Sequence, residues 1–478
     1  MKRRFNLKAA IIIYFLFCGF LFSFASQQVF AQNTTQLLRA GAVQVDITPP
    51  IGCEMSGYAA RKNVSQGMHD PLFAGILILD NGWTKIALIT LDIIGVEDKL
   101  IAEVKLMINQ KTGISIENIM LSATHTHSGP ESDEIYDTML KQKIIGGVLW
   151  AYSKLQFARI GSGKGHVTGI AINRRSLNGE PIDPDVGVIL VEDLSGKLVT
   201  IWVNYTAHAT AMSWNNLMIS ADYPGFMRQT VQKVYGNDVV VMFANGAEGD
   251  INAAMKDPAF ALGLTPTQNT FGPLLDGIGE LQPHRTFEHC GRIGTILGGE
   301  VIKVVENISM IDNVSLKSTS KIISLPVRKF ESVQITQKVQ DEADAKVKSL
   351  QASGADKETL MKSRVDAFLA MMRNWAAKRG ERLKNTALFP AYIQVIRIGD
   401  AVFAGWPGEF FSGIGRNVKN RSGLEKTFIV GLANGSVGYL PTKDAYEEKG
   451  YEIDSTIFSE NAVDILSDET LKLIGEVK

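Results

Sequence analysis

The heptapeptide Thr124-His125-Thr126-His127-Ser128-Gly129-Pro130 places two imidazoles two residues apart at the end of an apolar run, Ile119-Met120-Leu121-Ser122-Ala123. That run reads as a buried strand, and alternate strand side chains share a face, so His125 and His127 are expected to point the same way. Two imidazoles so placed can serve one metal ion or one substrate. Gly129-Pro130 then ends the strand and turns the chain. The chain has only seven histidines, so two in one heptapeptide is a concentrated signal. A His-x-His pair by itself does not define a metal site. Its partners must come from elsewhere.

In open α/β sheets, ligands gather at the carboxyl ends of strands, where the loops diverge. The polar residues that follow apolar runs here are Asp92, His125, His127, His208, Asp222, Glu248, Asp250, Glu409 and Tyr439. A catalytic zinc takes about three His, Asp or Glu ligands and keeps one position for water. The metal lowers the pKa of that water and polarises the carbonyl it attacks, so the pattern points to a zinc hydrolase. Each residue also has a plainer reading as a strand-end cap or loop hydrogen bonder, Asp92 above all. His166 and His284 read as surface loop residues, and His289 stands beside Cys290 at a helix start.

The elements that must position these groups alternate between strands and helices. Ile76 to Asp80 and Lys85 to Leu91 flank Asn81-Gly82 as a hairpin, and Val186 to Glu192 and Val199 to Asn204 flank Ser195-Gly196 as another. An amphipathic helix is expected over Glu97 to Lys111, ended by Gly113, and a short buried strand over Val239 to Phe243. Strand–helix–strand order argues for α/β architecture, a mixed or largely parallel sheet with helices packed against it. Apolar residues at helical spacing on both sides of Gly354 predict an inserted helical hairpin over about 329–382, a lid or a packing arm. Its Met and Trp residues read as core. Strands resume at Tyr392 to Ile398, Ala401 to Gly405 and Phe428 to Leu432, and Ser467 to Val477 closes the chain as a helix.

The start of the chain reads as a targeting segment. Lys2, Arg3, Arg4 and Lys8 precede the uncharged run Ala9 to Phe24, and Val29-Phe30-Ala31 suits a signal peptidase, so residues 1–31 are read as a signal peptide. An uncleaved anchor is the rival, and the run is short for a full span of about 20 residues. The mature chain, 32–478, is then secreted or periplasmic, and its net charge moves from −1 to −5. No basic block favours nucleic acid. Beyond the leader, Cys53 and Cys290 are the remaining cysteines, too few for a disulfide scaffold.

These residues carry a family resemblance. Gly41 to Pro49, Gly57-Tyr58-Ala59, Gln66 to His69, Thr90-Leu91-Asp92, Ser122 to Pro130, Ile172-Asn173-Arg174, Ile219 to Asp222, Pro407-Gly408-Glu409 and Leu432-Ala433-Asn434 leading to Tyr439 and Tyr451 fall in one order. In them the chain resembles the catalytic domain of neutral/alkaline non-lysosomal ceramidases, zinc amidases that cleave ceramide into sphingosine and fatty acid. The resemblance implies that domain's fold and a Zn²⁺ held by His125, His208, Glu409 and Tyr439. It also implies His127 as acid/base, and Arg174 and Tyr451 as donors to the developing oxyanion. The chain departs from the family pattern at Asn252, where the family's Gly-Asp-Val-Ser-Pro-Asn segment has serine, and at Ser436, where a tyrosine is frequent. It also ends at Lys478, without the family's C-terminal β-sandwich domain.

The leading expectation is therefore an exported zinc-dependent hydrolase of an amide (N-acyl) bond, with a ceramide-like lipid as the default substrate and membrane contact left open. Asn252 and the missing domain motivate an alternative, a zinc hydrolase of another N-acyl or ester compound. A non-catalytic ligand-binding homologue is the reading from a different class.

Overall fold

The computed structural model describes residues 37–176, 180–255, 285–383, 386–448 and 450–478. The expected signal peptide and His284 lie outside them. The largest sheet has eight strands in the spatial order Val240–Asn245, Leu198–Tyr205, Asp185–Asp193, Gln156–His166, Arg39–Asp46, Phe73–Asp80, Lys85–Leu91, Ile119–Ala123. Only the outermost pair at each edge is parallel, and the five inner pairings are antiparallel. Of the two expectations, mixed rather than largely parallel is correct. The tight turns after Asp80 and Asp193 join neighbouring strands directly, which forces them antiparallel.

This sheet works as two halves joined only at Arg39↔Phe157 and Ala40↔Gln156. Leu77, Leu88 and Met120 from one half share a buried cluster with Ile189, Trp202 and Met242 from the other, so the halves stack face to face. A Cβ at Gly75 would lie 2.8 Å from the Met242 side chain. The outer faces are covered by helices. Ile76, Ile89 and Leu121 pack on Asp98–Thr112 and Glu134–Ser153, while Val188, Ile201 and Val241 pack on Asp222–Tyr235 and Phe287–Val305. The result is helix–sheet–sheet–helix layering. Because both faces of Phe73–Asp80, Lys85–Leu91, Ile119–Ala123 and Val240–Asn245 are buried, these strands read as near-continuous apolar runs, as parallel strands also do.

A second sheet of Leu316–Pro326, Leu388–Ile398, Ala401–Gly405 and Thr427–Val430 is covered by the helices Ser412–Ser422 and Ala462–Val477. Its first two strands are antiparallel neighbours in register to Pro326↔Leu388. The expected helical hairpin, Val333–Ala352 and Lys357–Arg382, is inserted between them. Gly354 breaks the hairpin at φ +67°, and Asp356 caps the second helix by accepting from Thr359 N at 2.9 Å. Among the described residues, no helix is long and apolar enough to cross a membrane. Cys53 and Cys290 are both free thiols.

Candidate active site

The strand that carries the histidine motif ends at Ala123, and His125 stands beyond it in the left-handed region at φ +66°. The shared strand face expected for His125 and His127 is therefore not what brings them together. Instead His125 N donates to Ile93 O at 3.0 Å and His127 N to Ala209 O at 3.2 Å, and the turn between them folds the two rings toward each other. Their Nε2 atoms lie 3.2 Å apart.

Backbone carbonyls settle how two of the imidazoles face the site. His125 Nδ1 donates to Ile94 O at 2.6 Å, and His208 Nδ1 donates to Glu248 O at 2.7 Å and Ile251 O at 3.0 Å. With Nδ1 carrying the proton, each Nε2 presents a lone pair inward. Both point at one carboxylate oxygen: Glu409 Oε2 lies 3.0 Å from His208 Nε2 and 3.3 Å from His125 Nε2. Lone pairs facing a carboxylate repel unless a cation or an added proton lies between them. The ligand atoms of His125, His208 and Glu409 all fall within 4.8 Å of one another, and all three are of metal-ligating type. The residues fit a divalent ion.

Tyr439 stands opposite Glu409 in a two-residue parallel ladder. Its hydroxyl accepts from Arg174 Nη2 at 3.3 Å, and its ring lies 5.6 Å from that of Tyr451. Arg174 is buried, and most of its donors are engaged by the protein. Nε bonds Glu452 Oε1 at 2.8 Å, Nη2 also bonds Gly249 O at 2.7 Å, and Nη1 bonds Asn252 Oδ1 at 3.2 Å. Asn252, the departure from the family serine, is thus a direct partner of Arg174. The fork of hydrogen bonds makes Arg174 a brace for Tyr439 as well as a wall of the cleft.

The electrostatics follow from burial and close neighbours. Burial opposes charge on Glu409, but His125 and His208 beside it hold its carboxyl well below the usual range. Burial, with His125 and His208 adding to it, pushes His127 well below its ordinary value, which keeps it neutral. Glu248 is wholly buried, and that burial lifts its carboxyl to about 8. Among the described residues, neither of its oxygens has a hydrogen-bond partner.

Five of the nine strand-end residues converge: His125, His127, His208, Glu409 and Tyr439. Glu248 lies close enough to act on the charge of His125 and Glu409. Asp92, Asp222 and Asp250 are scaffold instead. Asp92 Oδ2 accepts from Arg228 Nη2 at 2.7 Å and Phe73 N at 3.0 Å. Asp222 holds Ala211 N and Met212 N, just beyond His208, and Asp250 accepts from Ser412 N at 2.7 Å. His166 is on the surface against Asp185, and His289 N is capped by Thr286. Two participants were not picked out from the sequence. Glu452 follows Tyr451 on a short helix with no periodic signal. Tyr58, edge-on to His127 at 4.9 Å, lay within a quoted motif without a role.

Two cavities meet at this cluster. One of about 630 Å³ is lined by His125 and Glu409 with Ile93, Leu100, Tyr136 and Leu140. The other, about 390 Å³, is lined by His127, Arg174, Tyr439 and Tyr451 with Phe368, Met372 and Trp375 of the hairpin. A layered α/β body with a buried His–His–Glu cluster open to two cavities is the architecture of an enzyme with a candidate metal centre.

The comparisons place it more narrowly. The family model described as neutral/alkaline non-lysosomal ceramidase, N-terminal, matches residues 38–261. Neutral ceramidase A of Dictyostelium discoideum is 23% identical over all of this chain and 78% of its own length. The neutral ceramidase of Drosophila melanogaster is 22% identical over 90% of this chain and 73% of its own. The crystal structure of neutral ceramidase from Pseudomonas aeruginosa shares the fold, with a TM-score of 0.67 at 18% identity over 92% of this chain and 74% of that one. These matches support the neutral/alkaline ceramidase family, with the family model covering residues 38–261 and the shared fold extending over 92% of this chain.

Proposed function

We propose that this protein is an exported zinc-dependent amidase that hydrolyses the N-acyl bond of ceramide-like lipids. The observation that carries the reading is the convergence of His125, His208 and Glu409, with Nδ1 of both imidazoles tied to backbone carbonyls. Tyr439, opposite Glu409, completes the proposed ligand set. When bound, zinc supplies Lewis-acid polarisation of the amide carbonyl and lowers the pKa of water. The chain's own residues do the rest. His127, neutral and 3.2 Å from His125, accepts the proton of the attacking water and returns it to the departing amine nitrogen as the C–N bond breaks. Tyr451 and Arg174 line the cavity wall from which the new negative charge on oxygen is stabilised, and Arg174 also keeps the Tyr439 phenol in place.

Asn252 supports a second reading, in which the same centre cleaves a different N-acyl or ester compound. A serine at this position is too short to span the distance from Asn252 Oδ1 to Arg174 in the same way, so the cavity wall differs from the family pattern here. Elemental analysis of the purified protein and of His208→Ala, with ceramide and short acyl-amide turnover on the same samples, tests both. One zinc per chain, lost with activity in the variant, is the expected outcome. Fully active protein without metal overturns the proposal, and a large preference for the short amide favours the second reading.

A further inference from the structure

We propose that Phe368, Met372 and Trp375, an apolar ridge on the second helix of the hairpin, form the wall that binds one hydrocarbon chain of the substrate and set its chain-length selectivity. This rests on the amidase reading above. The three residues recur at i, i+4 and i+7, one face of a helix, and all line the cavity that also contains His127, Tyr439 and Tyr451. The expectation that the hairpin's Met and Trp residues are core holds for Met372 and fails for Trp375. Phe368 and Met372 are 8% and 3% exposed, whereas Trp375 is 56% exposed. The ridge therefore runs from the reactive groups outward to solvent, ending in a large indole for which the fold itself supplies no full cover.

Three contacts tie this ridge to the chemistry. The Phe368 ring stacks on Tyr451 at 5.9 Å and 11°. Arg373 Nε bonds Asp454 Oδ1 at 2.8 Å on the short helix that carries Tyr451, and Arg379 Nη2 bonds Val437 O at 3.1 Å, two residues before Tyr439. From behind, the fully buried Asn374 bonds Gln337 at 2.8 Å and Gln340 at 2.7 Å, which locks the two hairpin helices together. A braced apolar wall beside the reacting groups suits a flexible alkyl chain better than a polar fragment. Both cavities mix apolar and charged groups: the neighbouring one sets Glu97, Asp98, Lys99 and Asp137 beside Ile93, Leu100 and Leu140, while the ridge cavity sets Glu131, Arg174 and Arg285 alongside the three apolar side chains.

The test measures kcat/KM on two series of ceramides, one varying the acyl chain and the other the sphingoid chain. In the wild-type protein, kcat/KM should rise by up to roughly fourfold per methylene along the series whose chain lies on the ridge. Trp375→Ala should cut the long-to-short ratio along that series by roughly tenfold through KM more than kcat, with Trp375→Phe restoring much of it. Trp83→Ala, at an exposed hairpin turn far along the chain, should change neither series. Unchanged ratios in both Trp375→Ala and Met372→Ala, or equal losses along both series, overturn the assignment. A wild-type protein that cleaves no ceramide of any length instead overturns the amidase reading.

Discussion

Glu409 and Tyr439 are register partners in a parallel ladder only two residues long, with Phe410 paired to Leu440 behind them. A carboxylate and a phenol separated by thirty residues of chain are thereby delivered to one spot by backbone pairing. The ladder can close because the chain is bare on both sides. Gly438 takes φ +90°, and a Cβ at Gly408 would lie 2.5 Å from Gly438 O.

Gly408→Ala should therefore spread the ladder and move Glu409 away from Tyr439. Forcing a methyl into that gap costs about 1–3 kcal/mol, and misplacing ligands weakens metal binding by roughly 10–100-fold. Thermal melts and a metal-competition titration read the two effects separately. A variant that binds metal as tightly as the wild type shows that the ladder does not set the ligand geometry.

Gly57 does the same service for His127. It stands at φ +101°, and a Cβ there would come within 2.5 Å of the imidazole Cγ. Gly57→Ala should displace His127 while leaving His125, His208 and Glu409 in place. Turnover is expected to fall by roughly 10²-fold or more, with metal content retained. Loss of metal in step with activity assigns His127 to metal binding instead of proton transfer.

Much of this was readable from residue types and turn signals. The hairpins at Asn81-Gly82 and Ser195-Gly196, the helical hairpin around Gly354 and the strand-end positions of His125, His208 and Glu409 all follow from local pattern. The stacking of two sheet halves does not, since strands buried on both faces look alike whether a helix or another sheet covers them. The strand-end rule also could not separate ligands from braces. Asp92, Asp222 and Asp250 end strands or open helices just as Glu409 does, yet each spends its carboxylate on backbone amides or on scaffold side chains such as Arg228 and Asn173. Trp375 shows the matching limit for helices, because periodicity assigns a residue to a face without saying whether that face meets protein or a cavity.

The scaffold role of Asp92 makes a direct prediction. Its carboxylate is 2% exposed and pairs with Arg228, itself buried. Asp92→Asn should destabilise the protein by about 3 kcal/mol, since a buried guanidinium loses its counter-charge, and yet leave the metal stoichiometry of the folded fraction unchanged. Denaturant unfolding alongside elemental analysis decides it. A stable variant that has lost its metal returns Asp92 to the ligand set.

Lys105 supplies a pH signature away from the active site. It is 4% exposed on the helix Asp98–Thr112, with Nζ 5.0 Å from the centre of the Tyr392 ring. Burial pushes its ammonium down from an ordinary value of 10.5 to about 7, against the opposing pull of Glu117. Between about 7 and 10.5 the unfolded chain thus holds a proton at this position that the folded chain has released. Stability contributed by this group must rise with pH across that window, and at or below pH 7 the fold carries the cost of a buried charge. Lys105→Met keeps the stem and removes the charge, so it should be more stable than the wild type by about 3 kcal/mol near pH 7 or below. The advantage should shrink steadily as pH approaches 10. Unfolding free energies for both proteins at pH 6, 8 and 10 measure it, and a difference that stays constant across those values rules out a proton lost on folding.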